Sequence, residues 1–330
     1  MRAIAKTGRT AIRFANGIVN TAALVAIMLL FAFGCYAIWD SDQVYHAADA
    51  ARYETYKPAS ENGVDSFKGL QAVNPEVIAW LTVYGTHIDY PVTQADNNMK
   101  YINTDAKGKY SLSGAIFLDN RANPGFSDFS SIVYGHHMDK DTMFGEIDRF
   151  ADKDYFGARR YGSLYYDGRE HGIEFFAFIF ADAYDNTVFR EKIARADNQK
   201  AYLDMLIKKA VNLRADVPVT ADDRIVLLST CSSNSTNGRG ILIGKITGAV
   251  HADPFKTDSS GKTKTIPVIS ALPGIWAQIP RWAEAGIAAA LFLLVISAVV
   301  LVHSKKKKRS RGHDKLIGRT GGEKDERNHD

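Results

Sequence analysis

RIVLLSTC (224–231), the polar run SSNSTNG (232–238) and RGILIGKITGAV (239–250) decide how this chain folds. The first and last are apolar, rich in β-branched residues and too short for a typical helix, so they read as two strands joined across a polar link. Upstream, VIAWLTV (77–83), HIDYPV (87–92), GAIFLD (114–119) and SIVYG (131–135) share this character, each bounded by Gly, Asn, Asp or Pro. SLYYDG (163–168) and GIEFFAFIFADA (172–183) make a candidate hairpin. Short helical patterns fall at 96–102 and 144–150, and a longer amphipathic one runs over 190–213. Many short strands with mostly short links predict a mainly β fold, a closed or nearly closed barrel with helical insertions. No internal repeat and no glycine-rich phosphate loop is present.

Outside this region the composition changes. IVNTAALVAIMLLFAFGCYAIW (18–39) exceeds the roughly 20 apolar residues that cross a bilayer, and lacks a small-x-small cleavage site, so it reads as an uncleaved signal-anchor. A second apolar run at 283–303 is expected to be another span. The net charge of +4 is no nucleic-acid signal, because much of the excess flanks these runs: Arg2, Lys6, Arg9 and Arg13 before the first, KKKKR (305–309) after the second. Basic flanks mark cytoplasmic ends. The organisation expected is a cytoplasmic N-terminus (1–17), a span (18–39), a helical stalk and linker (40–65), an extracytoplasmic domain (66–251), a linker (252–282), a span (283–303) and a cytoplasmic tail (304–330). Residues 66–251 are expected to fold without either span.

The only two cysteines are Cys35, inside the first apolar run, and Cys231. An exported domain with one unpaired thiol is unusual, and two readings are open: a small core residue, or a nucleophile. Position at the end of a strand before a polar loop favours an exposed thiol. Its thiolate form needs a positive or basic neighbour. Arg239 begins the next strand; taken alone it reads as a solvated strand-end charge, but a tight strand pair brings it back beside Cys231. It stays protonated, so it can hold a thiolate or an oxyanion but cannot act as a base. His136 and His137 follow the strand SIVYG, where a histidine can protonate a leaving amine. Adjacent residues of an extended chain face opposite ways, and no HExxH or cysteine spacing supports a zinc site, so no metal is expected. His46, His87, His171 and His251 read as surface or packing residues.

Taken together, YGHHM followed by MF (134–138, 143–144), LSTC (228–231) and RGILIGKI (239–246) resemble a sortase, specifically class B. DNNMKYI (96–102) and GAIFLDNR (114–121) support this, and the likeness covers most of 71–250. The motifs stand in the order His, Cys, Arg, which is far more specific than any one alone. The resemblance implies an eight-stranded closed barrel and a cysteine transpeptidase with no cofactor. Cys231 is then expected to attack the Thr carbonyl of a sorting-signal pentapeptide and form a thioacyl enzyme. His136, the residue directly after the YG pair, would move the amine proton, Arg239 would hold substrate or oxyanion, and Ser229 and Thr230 would bind substrate. The implied partners are a surface or pilin protein with a C-terminal sorting signal, an amine acceptor from a peptidoglycan precursor or a pilin, and the membrane, with no nucleic acid. Two features depart from the family pattern: Leu227 stands where TLxTC has its first threonine, and a second span is more familiar among pilin-polymerising members.

Two other classes compete. A papain-like wall hydrolase places its cysteine before its histidine, the opposite of the order here. A membrane-anchored scaffold that binds a wall protein would need no thiol chemistry, and a thiol reagent that blocks turnover separates it from an enzyme.

Overall fold

Strand RIVLLSTC lies in the middle of a sheet that curls until its ends meet. A computed structural model describes residues 2–58, 63–190, 192–193, 195–231 and 237–256. Its helices and strands are α1 (Arg2–Ala48), α2 (Gly63–Val73), β1 (Val77–Val83), β2 (Asp89–Thr93), β3 (Ile116–Leu118), β4 (Ser130–Gly135), α3 (Lys153–Ala158), β5 (Tyr161–Tyr166), β6 (Arg169–Asp182), α4 (Ala196–Lys209), β7 (Ala210–Leu213), β8 (Arg224–Cys231) and β9 (Gly238–Thr247). The strands lie in the order β5-β1-β2-β3-β4-β8-β9-β6-β7, and β5 also pairs with β6. Following that extra pairing, β1, β2, β3, β4, β8, β9, β6 and β5 close a ring of eight. Closure removes the open edges that a flat sheet would expose.

β6 makes the closure possible. It is 14 residues long; along one side it pairs first with β5, through Tyr161↔Glu174 to Tyr166↔Arg169, and then with β7 at Ala177–Ile179. β9 runs along its other side from Gly172 to Asp182. Alternation along the strands sends one set of side chains inward, among them Leu81, Val92, Val133, Phe178, Val226, Leu228 and Leu242, all in one buried cluster. The opposite face of β8 and β9 carries Ile225, Leu227, Ile241 and Ile243, which α4 covers with Tyr202, Leu203 and Leu206. Leu227, the departure from the family pattern, is fully buried in this outer layer.

The helix expected over 190–213 is shorter than its apolar pattern. α4 stops at Lys209, the backbone of Ala210 turns extended (φ −63°, ψ 128°), and Ala210–Leu213 pair with β6 as β7. The unpaired edge of β6 beyond β5 offers backbone partners, and that outweighs the helical spacing. The short patterns at 96–102 and 144–150 become 3-10 turns at Lys100–Ile102 and Ile147–Ala151.

The chain divides into two units, one of them residues 42–263, which holds the barrel. Asp40–Tyr56, expected as a helical stalk, forms the end of α1 and a 3-10 turn at Ala50–Tyr56. Within the barrel unit it is packed: Ala48 (1% exposed) and Tyr53 (4%) belong to the core cluster, as do Phe67 and Leu70 of α2. A soluble form starting at Asp42 is therefore expected to keep native stability, and one starting at Ser66 to lose it. Exposing one buried aromatic residue and its neighbours costs about 3 kcal/mol, roughly 6–12 °C in Tm for a domain of this size. Thermal unfolding of the two forms checks this; equal Tm values would show that the layer contributes nothing.

The other unit includes residues 1–41. Within α1 lies the one stretch, among the described residues, that is long and apolar enough to cross a membrane. The second expected span, 283–303, lies outside the described residues, as does the 304–330 tail.

Candidate active site

Strand register alone assembles the expected site. β8 runs parallel to β4, with Tyr134 opposite Ser229 and Gly135 opposite Thr230. On its other side β8 runs antiparallel to β9, with Gly240 opposite Thr230 and Arg239 opposite Cys231. Cys231 thus ends its strand directly across from Arg239, a pairing that places Cα atoms about 4.5–5.5 Å apart. His136 leaves β4 at the same end of the barrel. Two segments distant in sequence, the end of β4 and the consecutive pair β8–β9, bring His136, Cys231 and Arg239 to one rim. Cys231 is described through its backbone, and residues 232–236 of the polar link lie outside the described residues.

Glycines let these elements close up. A Cβ on Gly135 would lie 2.7 Å from the ring of Phe144, so the residue before the histidine has no room for a side chain. One on Gly240 would run into the carboxylate of Asp148, on the 3-10 turn that packs against β9. The YG and RG pairs in the motifs are thus packing requirements of the strands that carry His136 and Arg239.

A groove of about 410 Å³ opens at this rim, lined by His136, Arg239, Ser229, Thr230, Arg121, Asn98, Met99, Ile102, Phe117, Tyr134, Ala183, Asn186 and Phe189 among others. His136 is half-buried, and its Nε2 lies 2.8 Å from the carbonyl oxygen of Ile102. A carbonyl can only accept, so Nε2 carries a hydrogen and Nδ1 is the ring atom left to exchange a proton. Arg239 is half-buried in the groove wall, with Nη1 3.5 Å from the Gly238 carbonyl. Ser229 and Thr230 are each 1% exposed, and their hydroxyls have no hydrogen-bond partner among the described residues. A buried hydroxyl left so costs about 1–3 kcal/mol.

One wall of the groove is a polar network that the motifs do not reveal. Asp119 is 3% exposed; it accepts from Nε and Nη2 of Arg121 at 2.9 and 2.8 Å, and from the Tyr134 hydroxyl at 3.1 Å. Burial pushes its carboxyl up, but the hydrogen bonds from Arg121 outweigh that and hold it below the usual carboxylate range. Burial and then the Asp119 charge push the Tyr134 phenol above its ordinary value, so it stays a donor. The groove is thus lined by the Arg121 side of this ion pair, the Arg239 guanidinium and the His136 imidazole. Its apolar side is aromatic, with Tyr134 5.4 Å from Phe117 and 6.4 Å from Phe189, centre to centre.

His137 is not in the groove lining. It forms an isolated backbone bridge with Met143, and its Nδ1 is buried without a partner among the described residues. His87, Asp141 and Glu146 bring possible metal-ligand atoms within 4.8 Å of one another. The Arg149 guanidinium already lies 2.6 Å from Asp141 and 3.6 Å from Glu146, supplying the positive charge there.

Comparison with known proteins agrees with this geometry. A family model described as "Sortase domain" matches residues 81–247, from β1 to the end of β9. Sortase B of Listeria monocytogenes is 30% identical over 184 residues, covering 55% of this chain and 74% of that protein. A Streptococcus pyogenes class B sortase involved in pilus biogenesis is 40% identical, with a TM-score of 0.51, covering 56% of this chain and all of that one. A mutant form of Clostridium perfringens sortase B is 30% identical, with a TM-score of 0.57, covering 60% of this chain and 96% of that one. The barrel, the family match across it and these relatives agree: the chain belongs to the sortase family of cysteine transpeptidases, as a class B member.

Proposed function

We propose that this chain is a membrane-tethered transpeptidase that joins a protein bearing a C-terminal sorting signal to an amine, with Cys231, His136 and Arg239 as its catalytic groups. The observation that carries the reading is the register: β4, β8 and β9 bring the three motif residues to one rim, beside a groove lined by Ser229 and Thr230, whose buried hydroxyls have no partner among the described residues. The Cys231 thiolate attacks the carbonyl carbon of the signal's threonine and a C–S bond forms. Arg239 donates to the resulting oxyanion. As the C–N bond breaks, the imidazolium of His136 gives its proton to the leaving amine. The incoming amine then attacks the thioester, His136 takes the amine's proton, and the C–S bond breaks to return the thiolate. Ser229 and Thr230 hydrogen-bond the peptide in the groove.

The apolar part of α1 tethers the domain, and 283–303 is a second span, with both termini cytoplasmic and residues 66–251 outside. The basic flanks of both runs support this topology. The acceptor is a peptidoglycan-precursor amine or a pilin lysine; the 40% identity to a sortase of pilus biogenesis favours the pilin. Mass spectrometry after mixing the chain with a panel of threonine-containing pentapeptides, with triglycine or a lysine peptide as amine, tests the reading. Amide products after the threonine are expected; no cleavage across the panel would overturn it.

Arg239→Lys is expected to be nearly as impaired as Arg239→Ala, with kcat/KM down about 10²–10³-fold, the usual loss of an oxyanion donor. A planar fork can hold two fixed hydrogen bonds where an ammonium gives only a mobile point charge. A lysine variant near the parent would show that charge alone suffices.

A further inference from the structure

We propose that Tyr90 is a positioning residue for His136: its hydroxyl ties the end of α1 to the left-handed hairpin that follows the histidine, so that the juxtamembrane helix end holds His136 in its seat. The proposal rests on the catalytic reading of His136.

The hairpin is held in a conformation that needs support. Lys140 (φ 59°), Asp141 (φ 59°) and Met143 (φ 53°) are all left-handed, and none is glycine. A β-carbon disfavours that region, and such residues persist only where their surroundings over-determine them. Part of the support is local: Arg149 holds Asp141 at 2.6 Å, and the Phe144 amide donates to the His136 carbonyl at 3.0 Å. The rest comes from α1. The Tyr90 hydroxyl donates to the carbonyl of Ala48 at 2.9 Å and accepts from the amide of Met143 at 3.0 Å. Lys140 Nζ lies 4.1 Å from the ring centre of Tyr45.

Each link in this tie has a physical reason. Ala48 ends α1, so its carbonyl has no partner within the helix and is open to an outside donor. Tyr90 sits on β2 and is 2% exposed, so its hydroxyl cannot swing to another partner. Burial pushes its phenol up to about 12, which keeps it a donor at any physiological pH. Met143 immediately precedes Phe144, whose amide holds the His136 carbonyl and whose ring packs against Gly135. A shift at Met143 therefore reaches the backbone of His136 within one residue. That backbone must stay fixed if the ring is to keep its 2.8 Å contact with Ile102 and its place in the groove.

The test uses the full-length chain in detergent, with the panel pentapeptide that the parent cleaves fastest. Tyr90→Phe removes only the hydroxyl. It is expected to stay folded at the assay temperature and keep KM within about twofold, while kcat falls about tenfold and its pH–rate profile moves. Lys140→Ala, at an exposed side chain, is the second arm. It should move the profile the same way with a smaller loss, about two- to threefold. An unchanged kcat and profile in both variants would overturn the proposal. So would a loss of kcat that matches the unfolded fraction and leaves the profile unmoved, since that is a stability effect alone. His136→Ala separates the two readings: a dead His136→Ala chain beside unaffected Tyr90 and Lys140 variants overturns the tie alone. Full turnover in His136→Ala overturns the site, and the tie with it.

Discussion

Cys231→Ala is expected to abolish turnover, by about 10⁴-fold or more, without unfolding the protein. Removing a nucleophile from a catalytic unit costs nearly as much as removing the whole unit, because the remaining groups have no bond-forming partner. The fold should be indifferent to the change. Cys231 is the last residue of β8, and its strand is fixed by the backbone ladder to β9 and by the buried run Ile225–Leu228 before it. Alanine keeps the Cβ and the backbone bonds of that ladder. The measurements are peptide cleavage, intact-mass detection of the thioacyl enzyme, and Tm. Cys35, inside the apolar stretch of α1, is kept in the parent and the variant alike, so that it is the one other thiol on which an adduct could form. A thioacyl adduct on the Cys231→Ala chain would end the assignment of the nucleophile.

Much of the barrel was legible because its strands are short apolar runs, β-branched or aromatic, bounded by turn residues. VIAWLTV and RIVLLSTC coincide with β1 and β8 residue for residue. The others moved by a few residues at their ends, where turns rather than burial set the limits. β7 was not legible. AVNL continues the helical spacing of α4, and only the free edge of β6 in the folded sheet turns it into a strand. Nor could the sequence show which strand closes the ring, since β5–β6 pairing depends on β6 being long enough to serve two partners on one side. The helix α2 was missed: it begins within the expected stalk and linker (40–65), and its residues Phe67 and Leu70 are buried against the core.

The site divides in the same way. His136, Cys231 and Arg239, the proposed catalytic groups, stand out in the sequence as residue types at strand ends, and register explains why they share one rim. Their supports were not. The carbonyl of Ile102 that orients His136 is a backbone group on a 3-10 turn 34 residues away, and no side-chain motif encodes it. Asp119 and Arg121 stand in the quoted GAIFLDNR, yet their pairing with Tyr134 in the groove wall depends on β3 lying antiparallel to β4. The packed helix end has a visible trace, Val44, Ala47, Ala48, Ala51 and Tyr53 loosely at helical spacing just past an apolar span. That pattern is shared by any amphipathic stalk, and only burial shows that this one belongs to the domain.

His136→Ala should cost about 10²–10⁴-fold in kcat, the usual contribution of a positioned acid and base, and His137→Ala no more than about threefold. The two residues are adjacent and of one type, so composition cannot separate them, but the structure gives them different surroundings. His136 lines the groove, and its Nε2 hydrogen is fixed by Ile102, which leaves Nδ1 as the exchanging atom. His137 pairs with Met143 in the hairpin and is not one of the residues that line the groove. Its loss should appear in Tm rather than in chemistry. A second measurement tests the role as well as the residue. If His136 protonates the leaving amine, a thioester or activated ester of the same peptide, whose leaving group needs no proton, should recover much of the acylation rate in His136→Ala. The ratio of amide to ester cleavage, parent against variant, reads this directly. An equal loss on both substrates would mean that His136 holds the site together instead of moving a proton, and equal impairment of the two histidine variants would mean that the wrong residue had been chosen.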